Sequence, residues 1–171
     1  MERVSETAQN NQTRQLVFRS PSKGLLKENE VAEEILAYIQ AEPACRYSLV
    51  VGSDSEVGLE VDFVTAVVVH RVGRGGRYFW THSRSPRFAT LRDRIWQEAL
   101  FSINCAQRLV ELFGSEQPPP NIEIHVDVGP NGPTKQMIQE VIGVVRGNGF
   151  VARIKPEAYA AAAVADRHVE R

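Results

Sequence analysis

Two spacings of apolar residues divide this chain. Val31, Ile35, Leu36 and Ile39 recur at helical spacing, so residues 29–41 read as an amphipathic helix that Pro43 ends. Residues 47–51 (Tyr-Ser-Leu-Val-Val) are β-branched or aromatic and carry no charge, which predicts a buried strand. That run passes through Gly52 and Ser53 and stops on Asp54. Residues 61–71 and 77–82 are β-rich on either side of Gly73-Arg-Gly-Gly76, the pattern of a hairpin. Thr90 and Asp93 resemble a capping box at the start of a long helix. Leu91, Ile95, Ala99, Ala106, Leu109 and Val110 form its stripe, and Gly114 ends it. Ile122, Ile124, Val126 and Val128 alternate with Glu123, His125 and Asp127, a half-buried strand. A glycine turn leads into a helix from Pro133 to about Arg146, then a short strand over 150–154. An alanine-rich helix follows from Pro156 through Ala165.

This order predicts an α/β fold with a mixed five-stranded sheet flanked by helices. Three antiparallel strands come first; two parallel strands return through helices. Residues 1–24 are mostly polar and read as an arm, either disordered or lying on the domain. Residues 25–171 read as a single domain, a size that allows one core.

Composition narrows the classes. Hydrophobic content of 43% and charged content of 24% are those of an ordinary globule. Net charge is −1, so any nucleic-acid surface must be local. No apolar run reaches membrane-spanning length, and the N-terminus lacks a signal peptide's apolar middle, so a cytoplasmic location is expected. Cys45 and Cys105 match no zinc or redox spacing.

Four carboxylates stand in awkward places. Asp54 ends an apolar run, though Gly52, Ser53 and Ser55 also suit a turn. Glu98 projects beside the apolar stripe of the long helix; a pair with Arg92 or Arg94 is the plainer explanation. Asp127 closes its strand before a glycine loop, and Asp166 follows small alanines that let the last helix approach the sheet. Gathered together, they would repel one another unless cations bound. Hard oxygen ligands suit Mg²⁺ or Mn²⁺, and two such ions roughly 4 Å apart can serve phosphoryl transfer.

The segments Val51-Gly-Ser-Asp-Ser55, Arg92-Asp-Arg-Ile95 with Glu98, His125-Val-Asp-Val-Gly129 and Lys155-Pro156 through Val164-Ala-Asp166 resemble the YkuK-like bacterial family of the ribonuclease H-like superfamily. The resemblance implies the ribonuclease H fold and a divalent-metal nuclease or phosphodiesterase. It implies that Asp54 bridges two ions, that Asp127 and Glu98 complete one site, and that Asp166 holds the other. Lys155 would steady a phosphate, or be a solvated strand-end lysine; His168 would shuttle a proton, or be an ordinary helix-end histidine. The superfamily also includes binding proteins, so a non-catalytic nucleic-acid-binding or nucleotide-binding module is the alternative.

Residues 70–94 are locally basic. Arg71, Arg74, Arg77, Arg84 and Arg87 interleave with Tyr78, Phe79, Trp80 and Phe88. Arginine with aromatics suits phosphate contact plus base stacking, so RNA, DNA or a hybrid is the expected partner. A strand edge blunted by charge would carry the same residues.

Overall fold

Apolar strands without charge pair in the middle of a sheet, and here the longest of them become its axis. The computed structural model describes residues 15–86, 88, 90–115, 121–158, 163–164 and 167–168. The strands are β1 (Val17–Ser20), β2 (Gly24–Lys27), β3 (Tyr47–Val57), β4 (Val61–Arg71), β5 (Gly76–Ser85), β6 (Ile122–His125) and β7 (Val151–Arg153). The helices are α1 (Glu28–Gln40), α2 (Leu91–Phe113) and α3 (Ile138–Gly147), the last preceded by a 3₁₀ turn at Lys135–Met137. Among the described residues no helix is long and apolar enough to cross a membrane.

The sheet is mixed, as expected, but has seven strands in the order β2-β1-β5-β4-β3-β6-β7 rather than five. The two additional strands come from the stretch read as the end of a polar arm and the start of the domain. Val17–Ser20 pairs antiparallel with Gly24–Lys27, and Arg19 pairs with Trp80 of β5. The Ser20-Pro-Ser-Lys-Gly24 turn chemistry is the turn of this hairpin. Phe18, at 1% exposure, anchors it in the core. Four-residue strands with one buried aromatic give too short an alternation to register as strands.

Strands β3, β4 and β5 form a continuous antiparallel ladder. Gly76 is required there: a Cβ would come within 2.5 Å of the Val69 carbonyl oxygen. Strand β6 joins β3 in parallel, with Gly52 opposite His125, and β7 joins β6. One face of the sheet packs Leu49, Val51, Val67 and Phe79 against α1, α2 and α3. On the other face Val64 and Ala66 pack with Trp80 and Val164. Helix α2 starts as its capping pattern predicts, with Thr90 Oγ1 accepting from the Asp93 amide at 3.1 Å. It ends at Gly114, whose φ is +70°.

Candidate functional site

The site forms where the parallel pair comes apart. Strand β6 leaves the ladder at His125, two residues before Asp127, whereas β3 runs on to Val57 beside β4. Asp54 is therefore inside a strand, opposite Val64, and not at a strand end. Asp127 follows just beyond the end of the β3–β6 ladder and lines the same cleft as Asp54. The chain at Asp127 stays close to the sheet because Val126 N–H donates to the Arg153 carbonyl at 2.9 Å. Lys155 N–H likewise donates to the Val128 carbonyl at 2.9 Å. Those two bonds also set where the Lys155 side chain begins.

Glu98 comes from α2 on the helical face of the sheet and is only 5% exposed. Ser55 Oγ donates to its Oε1 at 2.5 Å. One turn further, Ser102 Oγ donates to the Glu98 carbonyl at 3.0 Å and lies 2.9 Å from Ser53 Oγ. Ser53 Oγ is in turn 2.9 Å from Thr65 Oγ1. This buried chain of hydroxyls ties α2 to β3 and β4 directly beneath Glu98. Burial pushes the Glu98 carboxyl up to about 7; the Ser55 hydrogen bond and Arg94 oppose the rise, and Asp54 and Asp127 add to it.

Asp54, Glu98 and Asp127 line one cleft of about 230 Å³, together with Arg94, Asn131, Thr134 and Lys155. Asp54 Oδ1 accepts from the Ser55 amide at 2.8 Å. Lys155 Nζ lies 2.5 Å from Asp127 Oδ1. This is a charge contact without hydrogen-bond alignment, and Oδ1 is otherwise buried without a donor among the described residues. Asp127, and more weakly Asp54, raise the Lys155 ammonium above the usual lysine range, against a smaller effect of burial. Gly129 lets this side chain lie close, since a Cβ there would stand 3.3 Å from Lys155 Cβ.

Asp166 and Arg87 lie outside the described residues. His168 stacks on Trp80, with centroids 3.7 Å apart and planes 10° apart. By register Trp80 shares the sheet face of Asp54, so His168 and Val164 lie on that face. The half-buried His168 imidazole has its pKa lowered by desolvation and by His82 and Arg167.

The arginines divide into two groups. Arg71 donates to Glu42 at 2.8 Å and to the Tyr47 hydroxyl at 3.0 Å, and lies 4.2 Å over the Tyr38 ring. Arg74 pairs with Glu42 and Arg77 with Glu34, each at 2.9 Å. All three stand toward the Tyr47 end of the ladder, with Arg71 opposite Tyr47 and Arg77 level with Leu49, roughly 17 to 23 Å along the strand from Asp54 at ~3.3 Å per residue. Arg84 stands opposite Asp62 at the other end of the hairpin, nearer the cleft.

Sequence reasoning read Ser53 and Ser55 only as turn residues, and passed over Ser102 and over Arg94 as a cleft residue. Ser102 had a visible signal: a small polar residue four positions after Glu98, on the buried side of α2. His125 was read as a polar position of the alternating strand and as part of a motif, with no role of its own. It is 6% exposed, its Nδ1 has no hydrogen-bond partner among the described residues, and burial lowers its pKa.

A family model described as ribonuclease H-like matches residues 30–170. The chain belongs to the ribonuclease H-like family. Within it, the chain is 30% identical over 167 residues to the uncharacterized protein YkuK of Bacillus subtilis (strain 168), covering 88% of this chain and 95% of that protein. The YkuK-like resemblance carried by the motifs is thus met over nearly the whole sequence. No solved structure matches the chain.

The donor chemistry of the cleft fits a hard divalent cation: three carboxylates from three elements, with a neutral-range acid among them. Among the described residues, however, no group of three or more histidine, cysteine, aspartate or glutamate side chains is gathered closely enough to hold a metal ion.

Proposed function

We propose that this ribonuclease H-like chain is a divalent-metal-dependent nuclease or phosphodiesterase acting on nucleic acid by two-metal phosphoryl transfer. The observation that carries the reading is the convergence of Asp54, Glu98 and Asp127 on one cleft, in the order the motifs anticipate. Asp54, Glu98 and Asp127, with Asp166, would hold Mg²⁺ or Mn²⁺. Bound there, the ions would stabilise the charge that develops on a phosphodiester. The chain's own residues do the rest. Ser55 holds the Glu98 carboxyl, and the hydroxyl chain below it ties the helix at Glu98 to the sheet. Arg94 faces the cleft with a planar guanidinium suited to a phosphate. Arg84, at the Asp54 end of the hairpin, would meet a strand leading to the cleft; Arg71, Arg74 and Arg77 stand at the far end, paired with Glu42 and Glu34. His168 would act on a proton only from its stacked position on Trp80. The test is cleavage of labelled RNA, DNA and hybrid substrates with Mn²⁺. Activity lost in a folded Asp54→Asn variant supports the reading; equal cleavage by that variant overturns it.

The non-catalytic module has one observation in its favour: Lys155 already balances Asp127. It predicts salt-sensitive nucleic-acid binding that survives Asp54→Asn and Asp127→Asn, with no cleavage by either parent or variant.

A further inference from the structure

Among the charged groups around the cleft, Lys155 has a position that a phosphate-steadying lysine does not need. Its ammonium reaches past the rim and rests on a carboxylate, Asp127 Oδ1, at 2.5 Å. Its side chain is 58% exposed, so the tip can leave without opening the core. Asp127 itself is one-third exposed. The stem is held at both sides: the Lys155 amide is bonded to the Val128 carbonyl, and Gly129 leaves space under the Lys155 Cβ. The lysine is therefore held by its backbone and movable at its charge. A divalent cation bound to Asp127 would need the same oxygen, and the two positive charges would repel across a few ångströms.

We propose that Lys155 is an internal rival of the divalent cation for Asp127, so that metal loads the cleft only as this ammonium is displaced. The inference rests on the metal-dependent reading above and adds its regulation. While seated, Lys155 relieves the repulsion among Asp54, Glu98 and Asp127. Once displaced, it stands at the rim on its exposed stem, free to meet an incoming phosphate. The cleft would thus hold a single cation in place of the metal before loading, and gain a free one at its mouth after loading.

The experiment is calorimetric titration of Mn²⁺ alone into the full chain, at low ionic strength, for wild type, Lys155→Gln, Lys155→Arg and Asp127→Asn, with folding checked by circular dichroism. The expected result is Mn²⁺ affinity about tenfold higher in Lys155→Gln, the equivalent of one pKa unit of charge interaction. Lys155→Arg, which keeps the charge, stays within about threefold of wild type, and Asp127→Asn loses binding. Unchanged or weaker affinity in Lys155→Gln, with wild type binding normally, overturns this proposal and leaves the nuclease reading standing. Absence of binding in all four proteins removes the metal reading and this inference together.

Discussion

The two ends of the β3–β4–β5 ladder handle charge in opposite ways. At the Tyr47 end, each arginine meets an acid from α1 or the loop after it: Arg71 and Arg74 meet Glu42, and Arg77 meets Glu34. Tyr38 and Tyr47 fill the space between, edge to face at 6.0 Å. At the Asp54 end, three carboxylates share a cleft, one of them is nearly dry, and the contact made by Lys155 is a charge pair without hydrogen-bond alignment. The first arrangement binds elements together. The second gathers like charges that raise the pKa of the buried member.

Breaking the Asp54 end should have the largest effect. Asp54→Asn is expected to lower metal-dependent cleavage on the order of 10²–10³-fold while melting within a few degrees of wild type. Wild-type turnover in that variant would erase the distinction between the two ends.

Glu98 sharpens the comparison through pH. Its folded pKa of about 7 stands above the ordinary glutamate value of 4.5. Between those values the native carboxyl keeps a proton that the unfolded chain has released. Stability from this group is therefore greatest below pH 4.5 and falls as pH rises through about 7. The fall is about 3 kcal/mol, since each pKa unit is ~1.4 kcal/mol. Denaturant melts in chelator should show Glu98→Gln gaining stability at pH 8 and losing this slope. An unchanged pH profile in the variant would contradict the burial argument.

Ser102→Ala should cost about 1 kcal/mol in the same melts, because Ser53 loses a buried partner. At the opposite end, Arg71→Ala is expected to lower the melting temperature by a few degrees with cleavage unchanged. Arg74→Ala, at a side chain two-thirds exposed, should change neither measurably. Loss of cleavage in Arg71→Ala would mean that the clasp end takes part in function after all.

Local signals explain what the sequence revealed. Thr90, Gly114 and a stripe repeated over six turns mark α2 without reference to any other element. The β4–β5 hairpin announces itself through its glycines. Asp54 and Asp127, which line one cleft, stood out in the sequence because a carboxylate closing an apolar run is locally anomalous. What was hidden depends on distant partners. Asp54 read as a strand end because its run of apolar residues stops there, yet β4 holds β3 in the ladder for three more residues. Arg71, Arg74 and Arg77 read as a basic strip because their partners, Glu34 and Glu42, lie some thirty to forty residues earlier in the chain. Strands β1 and β2 are too short to carry a period, and only packing of Phe18 marks them.

The most direct measurement is cleavage of a panel of 5′-labelled single-stranded RNA, single-stranded DNA, both duplexes and the hybrid. Wild type would be assayed with Mn²⁺ and with chelator, beside folded Asp54→Asn. The account predicts cleavage of at least one substrate that needs the metal and disappears in the variant. Tight, salt-sensitive binding without cleavage in any lane, or cleavage that persists in Asp54→Asn, would contradict it.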